Sequence, residues 1–311
     1  MLAFLIRRIL LLLPVLFLVS AISFTLFYLA PGDPAELLLT GPQGPPDPAA
    51  VQELRQKAGF DDPPQIQYIR WLNKAIRGDL GYSFITGDKV LDDVRDSFRS
   101  TLKLALASLV ISFLISIPLG ILSAVKRNSA IDNLAMTLSL LGVSVPNFWL
   151  AYLLIIFFAI QLDVLPVAGY GESGDLEHMV LPAVTLGLSA AAVTSRMMRS
   201  CMLEVLSQDY ILAARAKGLP NWSVVLKHAL PNALLPVITV MGLNFTYLLN
   251  GSAVVETVFA WPGIGNLMIH SIYDRDYPVI MGSLLFLATL FLILNLLIDV
   301  FYYYLNPRMR D

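Results

Sequence analysis

Six stretches of this chain carry no charged residue over lengths that approach or exceed the width of a lipid bilayer. They are Ile9–Ala30, Leu104–Val125, Asn133–Leu162, Met179–Ser195, Ala229–Val255 and Tyr277–Ile298. A hydrocarbon core about 30 Å thick takes roughly 20 helical residues. Five of the six are long enough, and Met179–Ser195, at 17 residues, is the shortest. Ile9–Ala30 holds fifteen Leu, Ile, Val or Phe residues, which at about −0.3 to −0.6 kcal/mol each favour insertion by roughly −5 to −9 kcal/mol. Arg7 and Arg8 precede it as in a signal peptide, but the run exceeds a normal h-region and no small-x-small site follows before Pro31, so it is expected to stay as a helix. Only 14% of residues are charged and mean hydropathy is +0.70, against about a quarter charged in soluble domains. The expectation is an all-α membrane protein with six transmembrane helices.

The basic residues orient it. With the N-terminus inside, the short inner segments hold Arg7, Arg8, Lys126, Arg127, Arg196, Arg199, Arg215, Lys217, Lys227, Arg308 and Arg310, while the two short outer loops hold Arg275 alone. That asymmetry predicts both termini in the cytoplasm. Net charge −2 leaves no basic footprint for nucleic acid. One cysteine, Cys201, excludes an internal disulfide or a cysteine-based metal cluster, and three histidines leave little for metal chemistry.

The chain then divides into a first span, 1–30, an outer subdomain, 31–100, and a five-helix core, 101–306. In the outer segment Asp47-Pro48 reads as an N-cap and first helical residue, with Gly59 as the stop. A second helix carries Ile66, Ile69, Leu72 and Ile76 at spacings of three and four, ending at Gly78. Such a stripe is expected to be core, with a landing surface for an external partner as the alternative.

The one sizeable inner connection runs over 196–230. Within it Asp209-Tyr210-Ile211-Leu212-Ala213-Ala214-Arg215-Ala216-Lys217-Gly218-Leu219-Pro220 predicts a short helix ended by Gly218. Asn221 is then expected to cap a helix over 222–229 that meets the fifth span at Leu230-Pro231. Ala213, Ala214 and Ala216 leave small surfaces that another protein can approach, and Arg215 and Lys217 can orient the contact; a solvated inner loop is the plain alternative.

Ala213-Ala214, Gly218 and Leu230-Pro231 stand at the spacing of E-A-A-x3-G-x9-I-x-L-P, the coupling loop of binding-protein-dependent ABC transporter permeases, with Leu212 and His228 in place of the glutamate and isoleucine. The run Ala213–Leu219 is similar to the version in the dipeptide/oligopeptide/nickel subfamily. That resemblance continues through Pro31-Gly32-Asp33-Pro34, Gln67-Tyr68, Trp71-Leu72, Gly78-Asp79-Leu80-Gly81, Arg199-Ser200, Met202–Leu206, Glu256-Thr257-Val258-Phe259, Trp261-Pro262-Gly263-Ile264-Gly265, Arg275-Asp276-Tyr277-Pro278 and Asn306-Pro307-Arg308. The chain resembles the first of that subfamily's two permeases.

The resemblance implies a non-catalytic subunit of an importer in a prokaryotic plasma membrane. Its partners would be a homologous second permease, two cytoplasmic ATPases that bind ATP and magnesium, and an extracytoplasmic binding protein. Peptides are the implied cargo, with nickel chelates or glutathione as alternatives. No Gly is followed by Lys, so the chain has no phosphate-binding loop of its own. Asp209, Tyr210, Ala213–Leu219 would take the ATPase stroke. Asn244 and Asn250 on the fifth span are candidate pathway residues or interhelical hydrogen-bonding groups. The apolar loop Ala260–Gly265, with Trp261, Pro262 and Gly263, is expected to dip back against the spans as an outer gate or binding-protein contact. Pro118, Pro146, Pro182 and Pro236 lie within spans, where neighbouring helices can satisfy the carbonyls they free.

Three other readings are weaker. A proton-coupled carrier wants an ionisable group deep in a span, and Asp299 lies near a span end. Gly171-Glu172-Ser173-Gly174 with His178 superficially resembles a serine protease but reads as a polar turn. Val167-Ala168-Gly169-Tyr170-Gly171 has the letters of a potassium filter without the preceding pore helix.

Overall fold

The computed structural model describes residues 2–29, 32–39, 46–171 and 175–305, and these are built from helices. In chain order they are α1 Leu2–Leu29, α2 Pro34–Leu39, α3 Pro48–Ala58, α4 Pro64–Ile76, α5 Val90–Val125, α6 Ala130–Ser144 and α7 Asn147–Leu154, which widens into a π-helical segment, Ile155–Gln161. Then come α8 Leu176–Leu206, α9 Asp209–Ala216, α10 Asn221–Ser223 with a π-helical continuation Val224–Ala229, α11 Leu230–Gly251, α12 Ala253–Val258, α13 Ile264–Tyr273 and α14 Tyr277–Leu305. Five helices are long and apolar enough to cross a membrane, and the pair α6–α7 makes a sixth if counted as one bent span.

The apolar stretch Asn133–Leu162 is not one continuous helix, so at Pro146 the chain breaks where a tolerated proline was expected. The axis turns by 106° at Val145-Pro146. Pro146 supplies no N–H to the Gly142 carbonyl, and Val145 is already in extended backbone, φ −78° and ψ 123°. Pro118, Pro182 and Pro236, by contrast, stay inside continuous helices. The 17-residue stretch Met179–Ser195 is part of a 31-residue helix and the most internally buried of the spans. Beyond the apolar run this helix carries Arg199, whose guanidinium grips buried Asp132 of α6 through Nε–Oδ1 2.6 Å and Nη2–Oδ2 2.7 Å. The fifth apolar stretch stops as a span at Gly251, and Ser252 starts the separate helix α12.

The chain forms two compact units, 1–98 with 267–311, and 99–266. In the first, α1 packs along α14, and α4 lies on α1. Asp47 caps α3 through Ala49 N at 3.0 Å, and Gly59 ends it at φ 72°. Arg55 bridges Asp61 and Asp33 at 2.9 and 2.6 Å, and these two partners raise its pKa above the ordinary arginine value. The stripe on α4 is not core: Ile66, Ile69 and Ile76 are 48%, 65% and 78% exposed. The face that packs is the aromatic one, Tyr68 edge-on to Phe24 with its hydroxyl 2.8 Å from Ser20 Oγ. Tyr68 and Trp71 present larger surfaces than isoleucine and win the contact. Asp276, also buried, accepts from the Ser83 hydroxyl and from Phe84 N at 3.1 Å, which ties the turn after Gly81 to the start of α14.

In the second unit α8 is the central helix, packed by α6, α7 and α11. Its apolar core runs from Ile117 and Ala124 of α5 through Met198 and Met202 to Ile211, Ala214, Val224, Ala229 and Ala233.

Candidate functional site

Three assemblies of the second unit hold the residues singled out by the sequence. The first is the elbow. Gln208 is the N-cap of α9, and Gly218 closes it in the left-handed region, φ 78°, with its N–H on the Arg215 carbonyl at 2.9 Å. Asn221 does not cap the next helix: Pro220 occupies the cap position, and Asn221 is the first helical residue without a capping hydrogen bond. Proline fixes the entry angle there, and no side chain is needed. From Asn221 the chain runs without interruption into α11, through π-helical turns ahead of Pro231.

Ile211 is fully buried and Ala214 is 8% exposed; both sit in the subunit's own core against Met198, Met202, Val224 and Val225. Ala214, expected on the docking surface, packs instead into the core that α9 shares with the turns after Asn221. Asp209, Tyr210, Ala213, Arg215, Ala216, Lys217, Gly218 and Leu219 are exposed, as are Leu212 and Trp222. The Tyr210 hydroxyl accepts from Asn232 Nδ2 at 3.0 Å, and the same nitrogen donates to the His228 carbonyl at 3.0 Å. One side chain thereby joins the elbow to the turn next to Pro231.

The second assembly is the loop Ala260–Gly265. Phe259, Trp261 and Ile264 are buried, and Trp261 Nε1 donates to the Ser100 carbonyl at 3.0 Å. Beneath the loop sits Glu256, 0% exposed. Its Oε1 accepts from the Thr101 and Ser252 hydroxyls at 2.7 and 2.6 Å, and its Oε2 from the backbone N–H groups of Gly265 and Asn266 at 2.9 and 3.1 Å. Ile264 N donates to Thr101 Oγ1 at 2.9 Å. A carboxylate here meets the positive end of α13 and satisfies donors that have no partner within the helix. Gly263 and Gly265 are required by proximity: a Cβ on Gly263 would overlap the Glu256 carboxyl group, and one on Gly265 would stand 2.5 Å from Ala253. Pro262 enters between Trp261 and Gly263 with no N–H to satisfy.

The potassium-filter-like letters belong to the same assembly. Gly169 N donates to the Phe259 carbonyl at 2.8 Å, and Tyr170 packs edge-on against Trp261 with ring centroids 4.7 Å apart. Lys103 lies by the Tyr170 ring and 3.3 Å from its hydroxyl. Of the protease-like tetrad, Glu172, Ser173 and Gly174 lie outside the described residues. So do the side chains of Asn250 and Asp299.

The third assembly surrounds Asn244. Its Nδ2 donates to Thr194 Oγ1 at 3.1 Å, and it lines a cavity of about 250 Å³ with Asn147, Ser189, Tyr247 and the Gly142–Val145 break. Across that cavity Ser189 Oγ donates to Asn147 Oδ1 at 2.5 Å.

Glu256 and the Asp132–Arg199 pair were missed as structural centres by sequence reasoning, because their partners lie up to 155 residues away. For Glu256 a signal was present: a lone acid beside a Trp-Pro-Gly loop in an otherwise apolar stretch is a buried charge that must have partners.

These features belong to a helical membrane protein, and comparison with known proteins gives its class, a permease subunit of ABC importers. The chain belongs to the family described as binding-protein-dependent transport system inner membrane component, which matches residues 116–311, with that family's N-terminal component matching 1–105. Among its relatives are the glutathione transport system permease protein GsiC of Escherichia coli strain K12 and that of Shigella flexneri serotype 5b. Each is 42% identical over 310 residues, covering 100% of this chain and 99% of the relative. An inward-facing structure of the MetNI methionine ABC transporter shares the fold at TM-score 0.59 and 22% identity, over 69% of this chain and 96% of that one. An amino acid ABC transporter with histidines matches at TM-score 0.51, 18% identity, 68% and 92% coverage. The chain is thus a multi-pass inner-membrane permease subunit of an ABC importer, of the dipeptide/oligopeptide/nickel family.

Proposed function

We propose that this subunit forms one half of the pathway by which an ATP-driven importer takes up short peptides, glutathione among them. The observation that carries the cargo is full-length similarity to glutathione permeases, 42% over 310 residues. A homologous second permease forms the other half, two ATPase subunits supply the stroke, and a binding protein delivers cargo from outside. Both termini face the cytoplasm in this reading, which the excess of Lys and Arg in the short inner segments supports. The exposed face of α9 receives the ATPase. Because α9 is packed on the turns that continue into α11, and joined there by Tyr210–Asn232, a push on α9 tilts α11 as a lever. The loop over Glu256 closes the outer end. ATP is hydrolysed on the partners, and this chain contributes no catalytic residue.

Purification in mild detergent followed by identification of bound subunits tests the assembly, and uptake by the purified complex in liposomes tests the cargo. Recovery of two ATPases and a second permease, with ATP-dependent uptake of glutathione or trialanine, is the expected result. Uptake driven by a proton gradient without ATP would overturn it.

A further inference from the structure

The polar cavity at the broken span has a chemistry that goes beyond a passive conduit. Its walls come from three helical elements: the α6–α7 break, α8 and α11. Irregular backbone at membrane depth is tolerated where it is buried in protein or lines a wet cavity, and here the break borders the cavity through Gly142, Val143, Val145 and Asn147. The two amides are each half engaged. Ser189 holds the carbonyl oxygen of Asn147, and Thr194 holds the amide nitrogen of Asn244. Asn147 Nδ2 and Asn244 Oδ1 have no hydrogen-bond partner among the described residues. What the pair offers is one donor and one acceptor, beside the exposed side chain of Tyr247, with no charged residue in the lining.

A secondary amide is the complement of that pair: its C=O accepts from Asn147 Nδ2 and its N–H donates to Asn244 Oδ1. We infer that this cavity is a cargo-binding subsite that recognises the peptide group itself, whatever the side chains on either side of it. A lining without charge holds no carboxylate, imidazole or thiolate to strip a chelated metal ion, and it penalises no charged terminus by like charge. The inference rests on the proposed peptide cargo and adds a discriminating contact inside the membrane to the selection made by the binding protein.

The test uses the complete importer in liposomes, with two probes: glutathione, and its analogue methylated at both peptide nitrogens, which keeps the carbonyls and loses the N–H donors. Asn147→Leu and Asn244→Leu are compared with wild type for uptake of each probe, complex recovery, and stimulation of ATP hydrolysis by the loaded binding protein. The expected result is glutathione uptake lowered about five- to tenfold in each variant, the size of one net hydrogen bond, with recovery and ATPase stimulation unchanged. Wild type is expected to prefer glutathione over the methylated probe, and Asn244→Leu to reduce that preference by a similar factor. The binding protein is the same in every sample, so its own discrimination cancels from the comparison. Unchanged uptake and preference in both variants would overturn the subsite while leaving the cargo reading intact. So would a parallel loss of complex or ATPase stimulation, which would make the asparagines packing groups. A wild-type complex that hydrolyses ATP but carries neither glutathione nor trialanine would overturn the cargo reading, and the subsite with it.

Discussion

The buried carboxylate and the exposed elbow lie in the same compact unit and follow opposite designs. At Glu256 four donors converge on one fully buried group, and two glycines are fitted to it with no room for a methyl. At the elbow two residues, Ile211 and Ala214, are buried and the rest of α9 is left to the outside. The first arrangement resists movement, since any displacement strips hydrogen bonds from a buried charge. The second is attached through a small apolar face and one side-chain hydrogen bond, and leaves its remaining surface exposed. Under the proposed function the first serves as a fixed point and the second as a handle. Substitutions should therefore divide into those that unfold the unit and those that uncouple it.

The largest expected effect is at the fixed point. Glu256→Ala leaves two hydroxyls and two backbone N–H groups of a buried site without their acceptor, a loss on the order of 3–5 kcal/mol. Thermal unfolding of the purified subunit, followed by tryptophan fluorescence, is expected to show the loss through the buried Trp261. Glu256→Gln is expected to cost less than half as much. Its carbonyl can face Gly265 N and Asn266 N, while its amide turns to hydroxyls able to accept. Equal losses for the two would show that the charge, and not the acceptor, holds the loop.

Next comes the buried side of the handle. Ala214→Trp places an indole where the neighbours are Met198, Met202 and Val225, and overpacking of this kind costs about 1–3 kcal/mol or expels α9. Reduced stability and faster proteolysis within 208–220 are expected. A stable variant with normal uptake would contradict the packing of Ala214.

This position also shows how far a sequence can be read. Small residues and a terminating glycine located α9 and its end correctly, because both are local signals of backbone conformation. Which alanine faces inward depends on α8 and the turns after Asn221, which a window of eight residues does not contain. The same reason accounts for the α4 stripe: isoleucines at spacings of three and four are apolar on one face, but Tyr68 and Trp71 on another face won the contact with α1. Hydrophobic length placed the spans, whereas the 106° break at Pro146 was not legible. Pro14, Pro118, Pro182 and Pro236 sit in continuous spanning helices, so proline alone does not separate a break from a tolerated kink. The acids and amides of the buried sites were visible as residues, but their partners were set by tertiary packing.

Gly218→Ala is a smaller change. A Cβ meets nothing within 4 Å there, so the cost is that of the left-handed backbone, φ 78°, about 1–2 kcal/mol. Gly218→Pro adds the loss of the N–H to the Arg215 carbonyl and is expected to abolish uptake while membrane insertion, assayed by fractionation, persists. Asn232→Leu removes the exposed bond to Tyr210 for about 1 kcal/mol or less, yet it is expected to lower the uptake obtained per ATP hydrolysed.

The smallest expected effect on stability is at the exposed face of the handle. Ala213 points outward beside Arg215 and Ala216, and a surface substitution away from special features changes stability by about 0.5 kcal/mol or less. Ala213→Trp is thus expected to melt with wild type and still insert, while its bulk holds an ATPase off the surface the small side chain leaves open. Recovery of ATPase subunits in detergent pull-down and ATP-driven uptake should both fall at least tenfold. Wild-type recovery and uptake in this variant would remove α9's exposed face from the contact. Since Ala213 and Ala214 are adjacent, the pair separates the two designs within one turn of helix: the same tryptophan unfolds at one position and uncouples at the next.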